Sequence, residues 1–340
     1  MSDDPPAAPV EAARADVPPT EQGNGLIQGL GAYVIWGFMP VFFKQLTTVP
    51  AVEVVAHRVI WSVPLLLAIL AFRKQLAVFW GVLKTPKTRW LMLLSSSLIA
   101  ANWLIYVFAV FSDHILAASL GYYLTPLLNV LLGYFFLKEG MTKATAVSVV
   151  LAFIGVAILA AGALETLWVS LALAVSFGSY GLVRKLAPVG SMPGLAAETV
   201  ILSPVALGAV VWFWLYGGAG GFGSSLRTDL FLIAGGAVTA FPLLLFAGAA
   251  RRMRLTTLGF ISYIGPTIQF ALGVFLYDEP LTTPRLACFA LIWAALVIFS
   301  VDSFRRAIAI DPEFAEAYNQ CATSTTIRTP ARASMNCSAR

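Results

Sequence analysis

The sequence predicts an all-α integral membrane protein whose ten transmembrane helices form two inverted five-helix repeats. Three observations predict it: an apolar composition, ten segments long enough to cross a bilayer, and an internal repeat. Of the 340 residues, 59% are hydrophobic and only 11% are charged, against about one half and about one quarter in a soluble domain. A soluble core could not bury so much apolar surface, so we expect lipid to solvate the chain.

Ten apolar segments follow residues 1–25, whose Pro- and Ala-rich composition predicts a disordered cytoplasmic tail. Each segment approaches the roughly 20 residues that a helix needs to cross the hydrocarbon. The predicted spans are residues 26–43, 52–72, 90–111, 115–137, 143–161, 166–183, 194–216, 229–250, 256–277 and 285–303. The first five form one predicted unit, 26–161, and the last five a second unit, 166–303. Residues 304–340 are predicted to be a second disordered cytoplasmic tail.

Basic residues alternate between the connecting loops. Twelve lysines and arginines fall in the loops of one predicted side, whereas the opposite loops hold only Lys44, Arg227 and Arg285. Because basic loops stay in the cytoplasm, this bias predicts cytoplasmic N and C termini. The formal net charge of +5 is therefore a topology signal and does not indicate nucleic-acid binding.

The chain also repeats itself after 140 residues. ILAASLGYYLTPLLNVLLGYFFLKEGMT, starting at Ile115, aligns without a gap on LTTLGFISYIGPTIQFALGVFLYDEPLT, starting at Leu255. The identical pairs include Tyr123 with Tyr263, Pro126 with Pro266, Gly133 with Gly273 and Glu139 with Glu279. An odd number of helices in each unit makes the second copy enter the membrane from the opposite side. Many secondary transporters have this architecture, with a substrate site near the midplane between the halves.

Polar and small residues form matching stripes on the fourth and ninth predicted spans, at helical steps of three and four. The stripe on the fourth span is Ser119, Tyr122, Pro126, Asn129 and Gly133, and that on the ninth is Gly259, Ser262, Pro266, Gln269 and Gly273. The amides of Asn129 and Gln269 are predicted to face one cavity and to hydrogen-bond a polar solute. The two prolines are predicted to break their helices, which would free carbonyls and let the halves rock. The alternative is that such residues only hold helices together.

The third span carries another polar line, Ser95, Asn102 and Tyr106. Asn102 is therefore a candidate site residue, and Tyr106, Tyr122 and Tyr263 are candidate aromatic walls of the same cavity.

Ionisable residues lie near the start of the second and seventh spans. In VEVVAHRVIWS, Arg58 is predicted about 9 Å below the outer boundary, at 1.5 Å per residue. A shift of 140 aligns Arg58 with Glu198, whereas a shift of 141 aligns His57 with Glu198. An ionisable group within a span indicates function by default, so both Arg58 and Glu198 are candidates for substrate binding or gating. A structural anchor, or an arginine that snorkels to lipid headgroups, are the alternatives for Arg58.

The runs AYVIWGFMPVFFK, ASLGYYLTPLLNVLLG, SFGSYGLVRKLAPVG and TLGFISYIGPTIQF resemble RarD-type permeases of the EamA group, within the drug/metabolite transporter superfamily. The resemblance covers about residues 26–304. It implies a permease of the bacterial inner membrane that moves a small metabolite or drug-like solute, with export the favoured direction. Ala117 and Ser262 stand where such sequences often carry Glu and Gln, so the specificity of this chain is expected to differ. Residues 305–320 resemble a tetratricopeptide fragment, which cannot stack alone.

Other functional classes are disfavoured. His57 and His114 show no metal-ligand spacing or triad, and the three cysteines show no disulfide or zinc spacing, so neither an enzyme nor a cofactor is expected. The chain lacks a filter-like loop and a GxxxxGK[ST] motif, which disfavours a channel and ATP-driven transport. A ligand-sensing or scaffold membrane protein stays open as an alternative. The expected partners are a small-molecule substrate and membrane lipid, without nucleic acid; the oligomeric state is not predicted.

Overall fold

A computed structural model describes residues 19–162, 164–216, 221–253 and 255–310. Within these ranges every regular element is a helix. The helices are α1 (Pro19–Gly37), α2 (Met39–Phe43, continued by a 3-10 turn over Lys44–Leu46), α3 (Ala51–Phe72), α4 (Leu76–Lys84), α5 (Pro86–Phe111), α6 (Ile115–Leu137), α7 (Lys143–Gly162), α8 (Leu164–Leu186), α9 (Ser191–Tyr216), α10 (Leu226–Arg252), α11 (Leu255–Ile261), α12 (Ile264–Phe275) and α13 (Thr283–Ile310).

The described helices confirm an all-α integral membrane protein. Nine of the spans that they form are long and apolar enough to cross a membrane. A tenth results if Asn24–Gly37 and Met39–Leu46, which meet at a bend of 42°, are counted as one broken span. The bend precedes Pro40, which lies in the first turn of α2 and has no backbone N–H to continue the hydrogen bonds of α1.

The boundaries differ from the predicted ones in three places. Residues 73–89, predicted to be a loop, contain α4, whose Phe79 and Val82 are buried in a cluster with Leu66 and Leu70 of α3. Helix α1 begins at Pro19, inside the predicted N-terminal tail, and α13 runs on to Ile310, beyond the predicted end at residue 303. The remainder of both tails, residues 1–18 and 311–340, lies outside the described residues.

Helix starts repeat the 140-residue spacing of the sequence. Helices α3, α5, α6 and α7 begin at residues 51, 86, 115 and 143, and α9, α10, α11 and α13 begin at residues 191, 226, 255 and 283. The turns that follow α6 and α12 also match, because Lys138 and Asp278 both have a left-handed φ, 55° and 50°. In each case the next residue donates its backbone N–H to the carbonyl of Gly133 or Gly273. The orientation of the two units across a membrane stays a prediction.

The helices of the two predicted units pack against each other. Helix α3 packs on α9 and α10, α5 and α6 pack on α8, α1 packs on α10 and α12, and α7 packs on α13. A buried apolar cluster that includes Phe43, Val55, Tyr106, Leu173 and Leu232 lies where α2, α3, α5, α8 and α10 meet. This arrangement places the polar residues of α3, α5 and α6 against α8 and α10.

Candidate functional site

Arg58 lies in the protein interior, with 4% of its surface exposed. Its Nε donates a hydrogen bond to Oγ1 of Thr239 on α10, at 3.0 Å. The guanidinium also faces the rings of Phe43 and Trp103, with 4.9 Å from Cζ to each ring centroid. Its Nη1 is buried and has no hydrogen-bond partner among the described residues. Burial by protein on this scale excludes the alternative in which Arg58 reaches lipid headgroups.

Two adjacent glycines of α10 allow α3 to approach closely and so position Arg58. A Cβ on Gly236 would lie 2.5 Å from the carbonyl carbon of Trp61, and one on Gly235 would lie 3.2 Å from Cγ of Arg58. Ser62 Oγ donates to the Arg58 carbonyl at 2.6 Å and lies 3.2 Å from the Gly236 carbonyl. Small residues commonly permit such contacts between membrane helices.

A line of tyrosine and asparagine side chains continues from Arg58 across α5 and α6 to α8. The ring centroid of Tyr106 lies 6.0 Å from that of Phe43 and 5.7 Å from that of Tyr122. The Tyr122 hydroxyl donates to Asn102 Oδ1 at 3.2 Å, and Asn102 Nδ2 donates to Ser176 Oγ at 2.9 Å. The Tyr106 hydroxyl is buried without a hydrogen-bond partner in the described ranges.

The structure thus brings together four of the predicted site residues: Arg58, Asn102, Tyr106 and Tyr122. With Phe43, Trp103 and Thr239 they form what we call the central cluster. Sequence reasoning missed these last three, because Phe43 and Trp103 read as ordinary apolar residues of their spans. Thr239 is 181 positions from Arg58, so no local pattern connects them.

Glu198 lies in a separate buried group, which we call the α9 cluster: Glu198, Ser95, Tyr180 and Arg184. Glu198 is 1% exposed. Ser95 Oγ donates to Oε1 at 2.6 Å, and the Tyr180 hydroxyl donates to Oε2 at 3.2 Å. Arg184 Nε lies 3.6 Å from Oε1. The charge of Glu198 is therefore compensated within its own cluster, and Arg58 is not one of its partners.

The structure does not bring Asn129 and Gln269 into one cavity. Gln269 is buried, and its Nε2 donates to the carbonyl of Trp36 on α1 at 3.1 Å, while its Oε1 is without a partner among the described residues. Asn129 is exposed, and its Oδ1 lies 3.3 Å from the position that a Cβ on Gly178 would take. Each amide thus faces a different helix, and a role in substrate binding stays a prediction for both.

Helices α6 and α12 contact each other, in part through the stripe residues Ser119 and Pro266. Ser119 Oγ donates to the Pro266 carbonyl at 2.8 Å, and the hydroxyls of Tyr123 and Thr267 are 2.6 Å apart. The rings of Tyr123 and Tyr263 stack with centroids 6.4 Å apart. At these positions the polar groups hold the two helices together, as the packing alternative proposed.

The two stripe prolines differ in their effect on the backbone. Pro126 lies inside the continuous helix α6, so the expected break at Pro126 is wrong. The ninth span is interrupted at Ser262 and Tyr263, between α11 and α12. Pro266 cannot donate a hydrogen bond to the carbonyl of Ser262, four residues earlier, which accounts for a break at this point.

Two ionisable residues of α3 that the sequence analysis did not select lie one and two turns before Trp61. Glu53, 4% exposed, accepts the backbone N–H of Phe222 at 2.9 Å. His57 stacks on the Phe222 ring at 5.0 Å, and its Nε2 lies 3.9 Å from Glu53 Oε1. The i, i+4 spacing of Glu53 and His57 places both on one helix face, and this spacing was the available signal.

The loop after α12 closes on the start of α6. The Glu279 carboxylate accepts the backbone N–H groups of Ile115 and Leu116, the latter at 3.0 Å. Burial raises the pKa of Glu279, although the two hydrogen bonds act in the opposite direction. Lys44 and Asp113 form an ion pair in the loops of the same end.

The chain is similar to known membrane transporters in sequence and to a solved structure in fold. Residues 23–161 match the EamA-like transporter family. An uncharacterized transporter of Vibrio cholerae is 42% identical over 282 residues, which cover 83% of this chain and 93% of that protein. Protein RarD of Streptomyces exfoliatus is 40% identical over 317 residues, which cover 92% of this chain and 98% of that protein. A crystal structure with 20% identity shares the fold, with a TM-score of 0.54 over 83% of this chain and 98% of its own.

Apolar helices that enclose buried polar clusters, together with these relatives, define a multi-pass membrane transporter. The description of the matching family and the name of the Vibrio cholerae relative both indicate transport. The chain belongs to the EamA-like transporter family of drug/metabolite transporters, as a RarD-type permease. The resemblance seen in the sequence is therefore confirmed.

Proposed function

We propose that this chain is a secondary transporter that exports a small metabolite or drug-like solute across the bacterial inner membrane by alternating access. The central cluster carries the proposal. It holds two buried polar groups without partners in the described ranges, Arg58 Nη1 and the Tyr106 hydroxyl. Buried polar groups are normally hydrogen-bonded, so an unsatisfied pair between the two halves is what a site for a polar solute would contain.

Two interruptions of the spans support alternating access. The 42° bend before Met39 lies just upstream of Phe43, whose ring faces Arg58. A change in this bend would therefore move one wall of the central cluster. The break at Ser262 and Tyr263 separates α11 from α12, which packs on α1 and α6. Broken helices in membranes are tolerated where protein or a wet cavity satisfies the freed groups.

Metabolite profiling tests transport and leaves the identity of the solute open. Mass spectra of cells and medium are compared for strains that carry no gene, the wild-type gene, Tyr106→Phe, or Tyr134→Phe as a control at an exposed tyrosine. We expect at least one small solute to accumulate in the medium with the wild type and the control, and less with Tyr106→Phe. Identical profiles in all strains would contradict the proposal. Binding of a solute by purified protein without flux in proteoliposomes would favour a sensor.

Thiol labelling tests the proposed cytoplasmic termini. In a chain whose three native cysteines are replaced, Ser224→Cys lies in the exposed segment before α10 and Lys84→Cys at the exposed end of α4. A membrane-impermeant thiol reagent added to intact cells should label the first and not the second. Labelling at position 84 would reverse the orientation.

A further inference from the structure

The charge of Arg58 has no counter-ion in the described part of the chain. Glu198 is engaged by Arg184, Ser95 and Tyr180. The other acidic groups on neighbouring elements are also engaged: Glu53 accepts the backbone N–H of Phe222, and Asp229 accepts that of Gly223 at 2.7 Å. A guanidinium stays charged at physiological pH, and a buried charge without a partner is strongly unfavourable. The central cluster therefore contains a positive charge that nothing described in the protein compensates.

The geometry around Arg58 leaves one guanidinium nitrogen without a hydrogen-bond partner among the described residues. Phe43 and Trp103 face the group at 4.9 Å each, and such cation–π contacts offset only part of the cost of burial. The N–H donors of a guanidinium lie in its plane, where carboxylates bind. Nε donates to Thr239, whereas Nη1 has no hydrogen-bond partner in the part of the chain that the structure describes.

A second buried donor without a described partner belongs to Tyr106, which contacts the same Phe43 ring as Arg58. The Tyr106 ring packs on Phe43 at 6.0 Å, and its hydroxyl is buried without a partner in the described ranges. Trp103 and Tyr122 add further aromatic surface to the cluster, beside the polar side chains of Asn102 and Thr239. Lys44, the nearest lysine in sequence, pairs with Asp113, so the cluster offers a single positive charge.

From this arrangement we infer that the transported solute is a small organic monoanion with an apolar or aromatic body. Its carboxylate, or an equivalent singly charged group, binds Arg58 Nη1 and the Tyr106 hydroxyl. One guanidinium matches one negative charge, and the aromatic side chains suit an apolar body. The inference rests on the proposed transport function and names the substrate class of the same site.

Metabolite profiling of Arg58→Met tests whether the transported solute is an anion that depends on the Arg58 charge. Arg227→Met is the matched control, because Arg227 also lies over a phenylalanine ring, at 5.9 Å, but is exposed and donates to Gln45. We expect the solutes that depend on the wild-type gene to be acids at neutral pH. This dependence should be lost in Arg58→Met and kept in Arg227→Met, with equal amounts of membrane protein. Neutral or cationic solutes, or acids whose export survives Arg58→Met, would overturn the inference while leaving transport intact. The absence of any gene-dependent solute would instead overturn transport itself, and the inference with it.

Thermal unfolding of the purified protein without added solute separates binding from structure. Arg58→Met removes an uncompensated charge and keeps a side chain of similar length, so its Tm should equal or exceed that of the wild type. A Tm several degrees below that of wild type and of Arg227→Met would show that Arg58 is a structural anchor, and the inference would fail.

Discussion

Arg58 and Glu198 are equivalent positions with opposite surroundings. Each is the eighth residue of its helix, α3 or α9, and the two are 140 residues apart. Glu198 has a cation and two hydroxyl donors within its own cluster. Among the described residues, the Arg58 side chain has one hydrogen bond and two aromatic contacts, and its Nη1 has no partner.

Helix α5 accounts for part of this difference. It supplies the Ser95 hydroxyl to Glu198 but the Trp103 ring to Arg58. A satisfied buried charge contributes to one defined packing, whereas an unsatisfied one costs stability and is retained where function needs it. The comparison therefore favours a structural role for the α9 cluster and supports the proposed role of the central cluster in solute binding.

The largest effect on stability is expected for Glu198→Ala. The change leaves Arg184 without its counter-ion and two hydroxyls without their acceptor. Breaking a buried pair in this way costs about 3–5 kcal/mol, measured as the free energy of unfolding in detergent. Glu139→Ala is the control, because its ion pair with Lys185 is more than half exposed on both sides and such pairs contribute about 0–1 kcal/mol. Equal losses in the two variants would contradict the structural role of Glu198.

The same chemical change at two tyrosines sharpens the comparison. Tyr180→Phe removes a hydroxyl that donates to Glu198, and a hydrogen bond to a charged group contributes about 1.5–3 kcal/mol. Tyr106→Phe removes a hydroxyl without a described partner, so the free energy of unfolding should not fall. Solute flux should show the reverse order, with the larger loss in Tyr106→Phe. If Tyr106→Phe is less stable than Tyr180→Phe, the different roles inferred for the two clusters are contradicted.

Glycine substitutions test the backbone that supports each cluster. Gly236→Ala places a Cβ against the backbone of Trp61, and overpacking of this kind costs about 1–3 kcal/mol. Gly194→Ala meets the end of the Arg184 side chain, which can move, so its cost should be smaller. Gly208→Ala on α9 meets open space and should stabilise the helix by about 0.5–1 kcal/mol. Thermal unfolding of the three variants gives the order, and a harmless Gly236→Ala would contradict the close approach of α3 and α10.

The smallest effect concerns Glu279, a buried acid that has backbone N–H donors in place of a cation. Because burial raises its pKa above the ordinary value of 4.5, the folded protein keeps this proton to a higher pH than the unfolded chain. The wild type should therefore gain stability relative to Glu279→Gln as the pH falls from about 7 toward about 4.5, and the difference should then level off. The Tm values of both proteins across this pH range test the prediction. If the wild type instead loses stability relative to Glu279→Gln as the pH falls, the upward shift of the Glu279 pKa is contradicted.

The spans and four of the seven residues of the central cluster could be predicted from the sequence, for clear physical reasons. Hydropathy reports lipid exposure directly, so the ten apolar segments were recognisable. Asn102 and Tyr106 stood out because polar residues are rare in spans and a spacing of four places them on one face. Helix α4 was missed because its nine residues are too few to cross a bilayer.

The remaining features depend on which helices become neighbours, and a repeat does not specify that. Asn129 and Gln269 occupy equivalent positions of the sequence repeat, yet each faces a helix of the other unit, so the two amides do not meet. The sequence did not indicate that Tyr180 and Arg184 contact Glu198. These residues lie on α8 and Glu198 lies on α9, so their contact depends on how the two helices pack.

The lack of a described counter-ion for Arg58 also has a kinetic consequence. If a monoanion supplies the missing charge, the loaded protein reorients with a neutral centre, whereas the empty protein must carry a bare charge through its closed state. Reorientation of the empty protein is then the slow step. Such a carrier exchanges solute across the membrane faster than it moves solute in one direction, so solute on the far side should accelerate efflux.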